Sequence, residues 1–247
     1  MTEPIRTPFG RLGNKYYMRK IIEKYIPPHR IYIEPFVGSG AIFFHKAPAE
    51  KSILNDLDKN IVSGFRLLKT VSTDPQKFNI VRGLENIQRF VDSPHHSKED
   101  KLLKILHLQT NTFGSKGVGK IYKTADQERK IKNLPLYKEK LKNAIIRQSD
   151  YKKLLQQYNT KDAFWFLDPP YQGSVKDKIY KDAELDLVEL NEFLGKIKGK
   201  FLLTINDNLS TRKIFGRWKK RGYTVMTNTH GQSALGGSHR KELLVFN

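Results

Sequence analysis

The chain has 247 residues, 38% hydrophobic and 11% aromatic, enough for one large domain or for a domain carrying a smaller insertion. Its 45 lysines and arginines against 25 acids leave a net charge of +20 and a pI near 9.9, so the expected partner is a polyanion. The absence of cysteine excludes disulfides and thiolate zinc sites, no apolar run is long enough to span a bilayer, and the opening MTEPIRTPFG lacks the apolar core of an export signal.

Nucleic acid is the expected polyanion. A membrane surface is disfavoured because no basic segment carries a clean apolar helical face. The expected setting is the cytoplasm of a bacterium or of a virus-infected host, with no membrane partner.

In chain order, NKYYMRKIIEKYI (residues 14–26) places Met18, Ile21, Ile22 and Tyr25 on one helical face. Asn14 is a cap and Pro27-Pro28 a stop. RIYIEPFVGSG reads as a short strand ending in a glycine turn, AIFFHK as the start of a helix and KSILND as a second strand. DKNIVSGFRLLKTV returns to helical spacing through Ile61, Val62, Phe65 and Leu68. Strand, glycine turn, helix, strand and acid are the opening unit of a parallel α/β nucleotide-binding fold. The stretch 64–143 differs. It is helical in pattern (KLLKILHLQ, PLYKEKLKN) and contains the basic loop GSKGVGKIYKTADQERKIKN. Strands resume at AIIRQ, AFWFL and KFLLTIND, separated by the helical DYKKLLQQY and LVELNEFLGKI, and the chain closes on two strands around a Gly-Gly loop. The expected organisation is therefore residues 1–63 and 144–247 as one α/β domain, interrupted by a basic helical insertion at 64–143.

Glu34-Pro35-Phe36-Val37-Gly38-Ser39-Gly40 follows a strand and precedes a helix, where glycines let the backbone approach a ligand. No Gly-Lys-Ser/Thr follows, which disfavours a phosphate cradle of the P-loop kind. Taken alone the turn is either a tight strand-to-helix connection or the edge of a cofactor site. Asp56, ending the next strand, favours a nucleoside-bearing cofactor without pyrophosphate, because an acid at that place holds ribose hydroxyls. Phe36 is suited to pack beside an adenine or a methionyl chain.

FWFLDPPY drives an apolar strand into Asp168-Pro169-Pro170-Tyr171. A proline lacks an N–H and pushes the preceding residue to extended conformations, so the carbonyls of Asp168 and Pro169 lose their ordinary partners. Beside the Asp168 carboxylate they can act as acceptors, and Tyr171 supplies a flat face. A rigid structural turn is the plain alternative. The chemical reading is a cradle for a planar group bearing an amino substituent, such as adenine. Acceptors on the amino hydrogens favour the pyramidal, nucleophilic nitrogen of a transition state.

The pair PFVGSG and DPPY, in that order around an inserted segment, resembles the Dam-like class of adenine-specific DNA methyltransferases over nearly the whole chain. GRLGNKYYMRKII is similar to that family's opening motif, with Asn14 in place of a glycine and Lys15 matching the lysine near the cofactor. Arg11 falls where some members have an aromatic near the cofactor. NDLDKNIV matches the second-strand segment, which makes Asp56 the ribose ligand. RQSDYKKLL matches the segment that holds the cofactor adenine, pointing to Asp150 and Tyr151. RKELLVFN resembles the closing strand. The resemblance implies a Rossmann-like sheet with a mainly helical DNA-recognition insertion, and S-adenosylmethionine as cofactor. Glu34, Pro35, Phe36, Gly38, Gly40 and Asp168 would line it. Asp168, Pro169, Pro170 and Tyr171 would carry catalysis on an adenine flipped from duplex DNA.

No metal is expected, since the seven histidines show no ligand spacing. In the insertion, the lysines, Lys123 among them, and Arg129 are expected mostly at phosphates, with Asn111, Lys116 and Lys120 as candidate base readers and a solvated basic loop as the plain alternative. A cognate restriction enzyme is the protein partner such an activity allows. Methylation of adenine in RNA and an inactive nucleic-acid-binding homologue are the rival readings. Methylation of a protein amide is more distant, because it favours asparagine at the tetrad's first position.

Overall fold

The computed structural model describes residues 5–11, 13–115, 117, 119–125, 127–170, 185–232 and 239–247. In chain order the elements are α1 (Arg19–Glu23), β1 (Ile31–Glu34), α2 (Ala41–His45), β2 (Lys51–Asn55), α3 (Lys59–Thr70), α4 (Leu84–Asp92) and α5 (Lys98–Asn111). Then come α6 (Glu128–Lys132), α7 (Leu134–Leu141), β3 (Ala144–Arg147), α8 (Lys153–Tyr158), β4 (Ala163–Leu167) and α9 (Leu187–Gly195). The described chain closes with β5 (Lys200–Asn206), α10 (Leu209–Phe215), β6 (Thr224–Gln232) and β7 (His239–Phe246). This is a mixed α/β fold, and it divides into two compact units: residues 1–19, 37–48 and 55–148, and residues 20–36, 49–54 and 149–247.

The second unit holds six strands, ordered β2-β1-β4-β5-β7-β6. β2, β1, β4 and β5 are parallel, and β7 runs antiparallel to both β5 and β6. Ile33 sits opposite Trp165, and Trp165 opposite Phe201. All five residues of β4 are buried, as an unbroken apolar run flanked by parallel neighbours requires. Trp165 packs edge-on against Phe193 of α9, 5.7 Å between ring centroids. The chain passes from β1 to β2 on one side and from β4 to β5 on the other. The carboxyl ends of β1 and β4 therefore flank a reversal of strand order, the place where open α/β sheets bind ligands.

The first unit gathers α2, α3, α4 to α7 and β3. Ile61, Val62, Phe65 and Leu68, the predicted face of α3, are all buried. Asp58 caps this helix, its Oδ1 accepting from the N–H groups of Asn60 (2.9 Å) and Ile61 (3.4 Å). Phe65 meets Phe9 edge-on at 5.2 Å and lies stacked with Phe44 at 6.1 Å, while Phe44 touches Tyr137 of α7 at 5.4 Å. Gly64 makes room for this cluster: a Cβ there would stand 2.5 Å from Phe9 Cζ and 3.2 Å from Ile105 Cγ2 of α5. Helices α5 and α7 thus pack on α3 beside this aromatic cluster.

Two expectations about elements change. The helix predicted over 14–26 shrinks to α1. Before it, the Asn14 side chain closes a turn on the Tyr16 N–H (3.0 Å), and Lys15 O accepts from Met18 N (3.0 Å). After it, Lys24, Tyr25 and Ile26 bond to carbonyls three residues back. The α-helical ladder gives way to tighter turns on both sides. In the other direction, α10 was not anticipated. Asn208 and Thr211 form a reciprocal capping box at its start.

Candidate active site

In the first unit, the glycine turn and the end of β2 are tied together. Gly38 and Gly40 have φ of 49° and 69°, the left-handed region that disfavours a side chain. At Gly40 space is short as well, since a Cβ would lie 3.1–3.3 Å from Phe65 and Phe44. Asp56 secures the turn: its Oδ2 accepts from the Gly38 N–H (2.8 Å) and its Oδ1 from the Asp58 N–H (3.0 Å). Burial raises the Asp56 carboxyl above its ordinary value, opposed by Arg11 and by these two N–H groups. Arg11 Nη1 pairs with Asp58 Oδ2 at 2.6 Å, and the stem of Arg11 runs beside Gly38. Lys15 is buried, its ammonium donating to the Gly13 carbonyl at 3.1 Å.

In the second unit, Glu34 is buried at the carboxyl end of β1 and accepts from the Tyr32 hydroxyl at 2.8 Å. Burial, reinforced by Glu34, pushes the Tyr32 phenol well above its ordinary pKa. Pro35 is buried and Phe36 half-buried. Asp168 stands half-buried at the carboxyl end of β4, Pro169 is buried and Pro170 half-buried. The Thr204 hydroxyl on β5 lies 3.1 Å from Asp168 Oδ1 and 3.4 Å from Leu167 O. Sequence reasoning missed Thr204. Its signal was a lone hydroxyl within the apolar run FLLTI, in the strand beside the tetrad.

Tyr151 and Asp150 also engage neighbours within the protein. Tyr151 is only 7% exposed. Its ring packs against Phe36 (5.1 Å) and Phe193 (4.9 Å), so its side chain builds the floor under Phe36. Burial, then Glu189, raises its phenol pKa. Asp150 turns back on its own segment, Oδ1 accepting from the Lys152 N–H at 2.8 Å.

Asn111 does not present a base-reading amide. It is fully buried, its Nδ2 lies 3.0 Å from His107 Nδ1, and its Oδ1 accepts from the Ala125 N–H at 3.0 Å. Lys120, Lys123 and Arg129 are exposed. Near them, Thr112 and Ile121 form an antiparallel bridge, and beside it Phe113 and Tyr122 stand exposed with ring centroids 6.1 Å apart. Tyr171 and Lys116 lie outside the described residues.

Comparison with known proteins agrees with this chemistry. The family model of D12 class N6 adenine-specific DNA methyltransferases matches residues 12–112 and 101–227. The chain is 26% identical over 221 residues to the type II methyltransferase M.CviBI of Paramecium bursaria Chlorella virus NC1A, covering 82% of this chain and 84% of that protein. It is 22% identical over 268 residues to a DNA adenine methylase of Vibrio cholerae serotype O1, covering 95% and 93%. Among solved structures, precorrin 8w decarboxylase of Methanobacterium thermoautotrophicum aligns over 98% of each chain with a TM-score of 0.46 and 12% identity. With an acid-proline-proline end on its central strand and a family match spanning most of its length, the chain belongs to the D12 class of N6 adenine-specific DNA methyltransferases.

Proposed function

We propose that this chain methylates the exocyclic N6 of an adenine extruded from duplex DNA, with S-adenosylmethionine as donor and residues 168–171 as the cradle of the amino group. The observation that carries this reading is Asp168, half-buried where the fully buried β4 ends, with Oδ1 set by the Thr204 hydroxyl.

The adenine amino nitrogen is a poor nucleophile because its lone pair is delocalised into the ring. Asp168 and the carbonyls beside it accept the amino hydrogens and favour the pyramidal nitrogen, on which positive charge grows as it is alkylated. No strong base is required, since the nitrogen becomes acidic once the new bond forms. Extruding the base costs a few kcal/mol. Stacking on Tyr171, a role assigned from sequence alone, returns about 1–3 kcal/mol.

The residues fit the cofactor. Asp56 is a half-buried carboxylate oriented by two backbone N–H groups, with lone pairs left for ribose hydroxyls. Gly38 and Gly40 leave two positions of the turn without a side chain. Glu34, Pro35, Phe36, Lys15 and Asp150 are assigned to its remaining edges. When bound, S-adenosylmethionine supplies an electrophilic methyl group on a sulfonium. The insertion, 64–143, is assigned to DNA: exposed Lys120, Lys123 and Arg129 to phosphates, and the exposed Phe113–Tyr122 pair to unstacked bases.

The test is incubation with methyl-labelled S-adenosylmethionine and, separately, duplex DNA, single-stranded DNA and RNA, followed by identification of the labelled base. Label on N6 of adenine in duplex DNA is expected. Label on RNA alone, or on no substrate, contradicts the proposal.

A further inference from the structure

Two basic segments of the second unit meet at the amino end of its sheet, the end away from Asp168. Lys196, Lys198 and Lys200 are exposed on the turn from α9 into β5. Arg217, Lys219, Lys220 and Arg221 are exposed on the 3₁₀ helix Gly216–Arg221 that follows α10. The turn is fixed. Asn159 Nδ2 donates to the Lys196 carbonyl and Asn159 Oδ1 accepts from the Lys198 N–H, both at 2.7 Å. Gly199 presses on β4, where a Cβ would stand 2.1 Å from the Ala163 carbonyl. Trp218 docks the 3₁₀ helix: it is buried, meets Phe201 edge-on at 5.3 Å, and donates from Nε1 to Asn191 Oδ1 of α9 at 2.8 Å. The Arg221 guanidinium lies over its ring at 5.1 Å. β6 then begins at Thr224, level with Leu202 through their shared partner Phe246. Both segments are thus held at the start of β5.

Thr204, which meets Asp168, lies ~13 Å along β5 from Lys200. A straight duplex with its adenine at Asp168 lies across the carboxyl ends of the strands and leaves this surface uncovered. Residues 193–206 and 208–241 together carry eleven lysines and arginines and no acid. Among the described residues none of the seven exposed cations pairs with a carboxylate, and Asp162, just before β4, is engaged by Arg30. Like charges held this close repel, and a polyanion relieves the repulsion. The exposed large apolar side chains of the described second unit, Val188 and Leu209, sit in the first turns of α9 and α10. Those are the helix ends remote from the two basic segments. A membrane anchor or the centre of a protein interface needs apolar contact. Phosphate contacts need only cations and hydrogen-bond donors.

We propose that the amino end of this sheet is a second DNA-binding surface, which holds the phosphates of a duplex segment other than the one being methylated. The proposal rests on the DNA methyltransferase reading above.

The test uses the full-length protein and short DNA duplexes. Chains and duplexes in each complex are counted by native mass spectrometry, and methyl transfer to the same DNA is measured in parallel. At ~50 mM salt each chain is expected to carry two duplexes. Arg217→Gln/Lys219→Gln/Lys220→Gln should weaken the second duplex at least ~tenfold, with first-duplex affinity kept within about threefold and methyl transfer unchanged. Lys196→Gln/Lys198→Gln/Lys200→Gln, on the other segment, should do the same and serves where the first variant fails to fold. A chain that carries one duplex only overturns the proposal. So does a second duplex weakened less than ~tenfold in both variants. First-duplex affinity or methyl transfer lost along with the second duplex also overturns it, because the cations would then serve the methylated DNA. Poly-glutamate bound at this surface in place of any second duplex assigns it to an acidic protein, with the same consequence. Methyl transfer with one duplex per chain removes the second surface and leaves the activity standing. Two duplexes per chain without transfer does the reverse.

Discussion

Thr204 is a hydroxyl-bearing side chain with no exposure, in a strand whose buried neighbours are apolar. Burying a hydroxyl is costly unless it is hydrogen-bonded, and here it meets Asp168 and the Leu167 carbonyl. Thr204→Val keeps the volume and removes the hydrogen bond, worth ~1 kcal/mol. Turnover should fall about fivefold, with the melting temperature lowered by no more than about 2–4 °C. A variant with full turnover in steady-state assays would show that Thr204 does not orient Asp168. The place of Asp168 at the carboxyl end of β4 was legible in the sequence, because an apolar strand that runs into two prolines must stop there. Thr204 and Asn111 were not, because their roles come from partners brought close only by folding: Asp168 lies 36 residues from Thr204, and the Ala125 N–H that engages Asn111 is 14 residues away.

At the scale of elements, periodicity served best where one face meets a deep core. α3 and β4 follow their predicted patterns because the expected face of α3, Ile61, Val62, Phe65 and Leu68, and all of β4 are buried against neighbours. The segment 14–26 has the same spacing, yet Ile21 and Tyr25 are only half-buried, and the turns at Asn14 and before Pro27 shorten the helix. The insertion read as a separate stretch in composition. Its packing on α3 depends on Gly64, whose missing side chain leaves room for Phe9 and Ile105. Alanine is the better helix former by about 1 kcal/mol, but a Cβ 2.5 Å from a fully buried phenyl ring must displace that ring. Overpacking of this kind typically costs 1–3 kcal/mol, and more where the neighbours are rigid. Gly64→Ala should therefore lower stability in urea titration by about 1–2 kcal/mol net. A stabilised variant would mean that Phe9 moves aside freely.

For the whole molecule, a charge of +20 sets how it meets DNA. Each phosphate neutralised by a lysine or arginine releases counterions, so affinity should fall steeply with salt. With ~6–10 phosphate contacts, duplex affinity by fluorescence anisotropy should drop ~10³-fold or more between about 50 and 200 mM salt. A drop under about tenfold would mean that phosphates do not dominate binding. Charge carries no sequence information, and neither would the proposed cradle at residues 168–171, which is assigned to an amino group and not to its neighbours. Among the described residues no helix is long and apolar enough to cross a membrane.

The central claim is that Asp168 acts on the adenine amino group. The most direct measurement compares Asp168→Ala with the unaltered protein in single-turnover methyl transfer to duplex DNA, with duplex affinity determined on the same preparations. Transfer should fall by at least ~10²–10³, the loss seen when one transition-state hydrogen-bond partner is removed, while duplex affinity stays within about threefold, under ~1 kcal/mol. Transfer that survives within about tenfold, or duplex binding lost in parallel with transfer, would contradict the account and make Asp168 a structural residue.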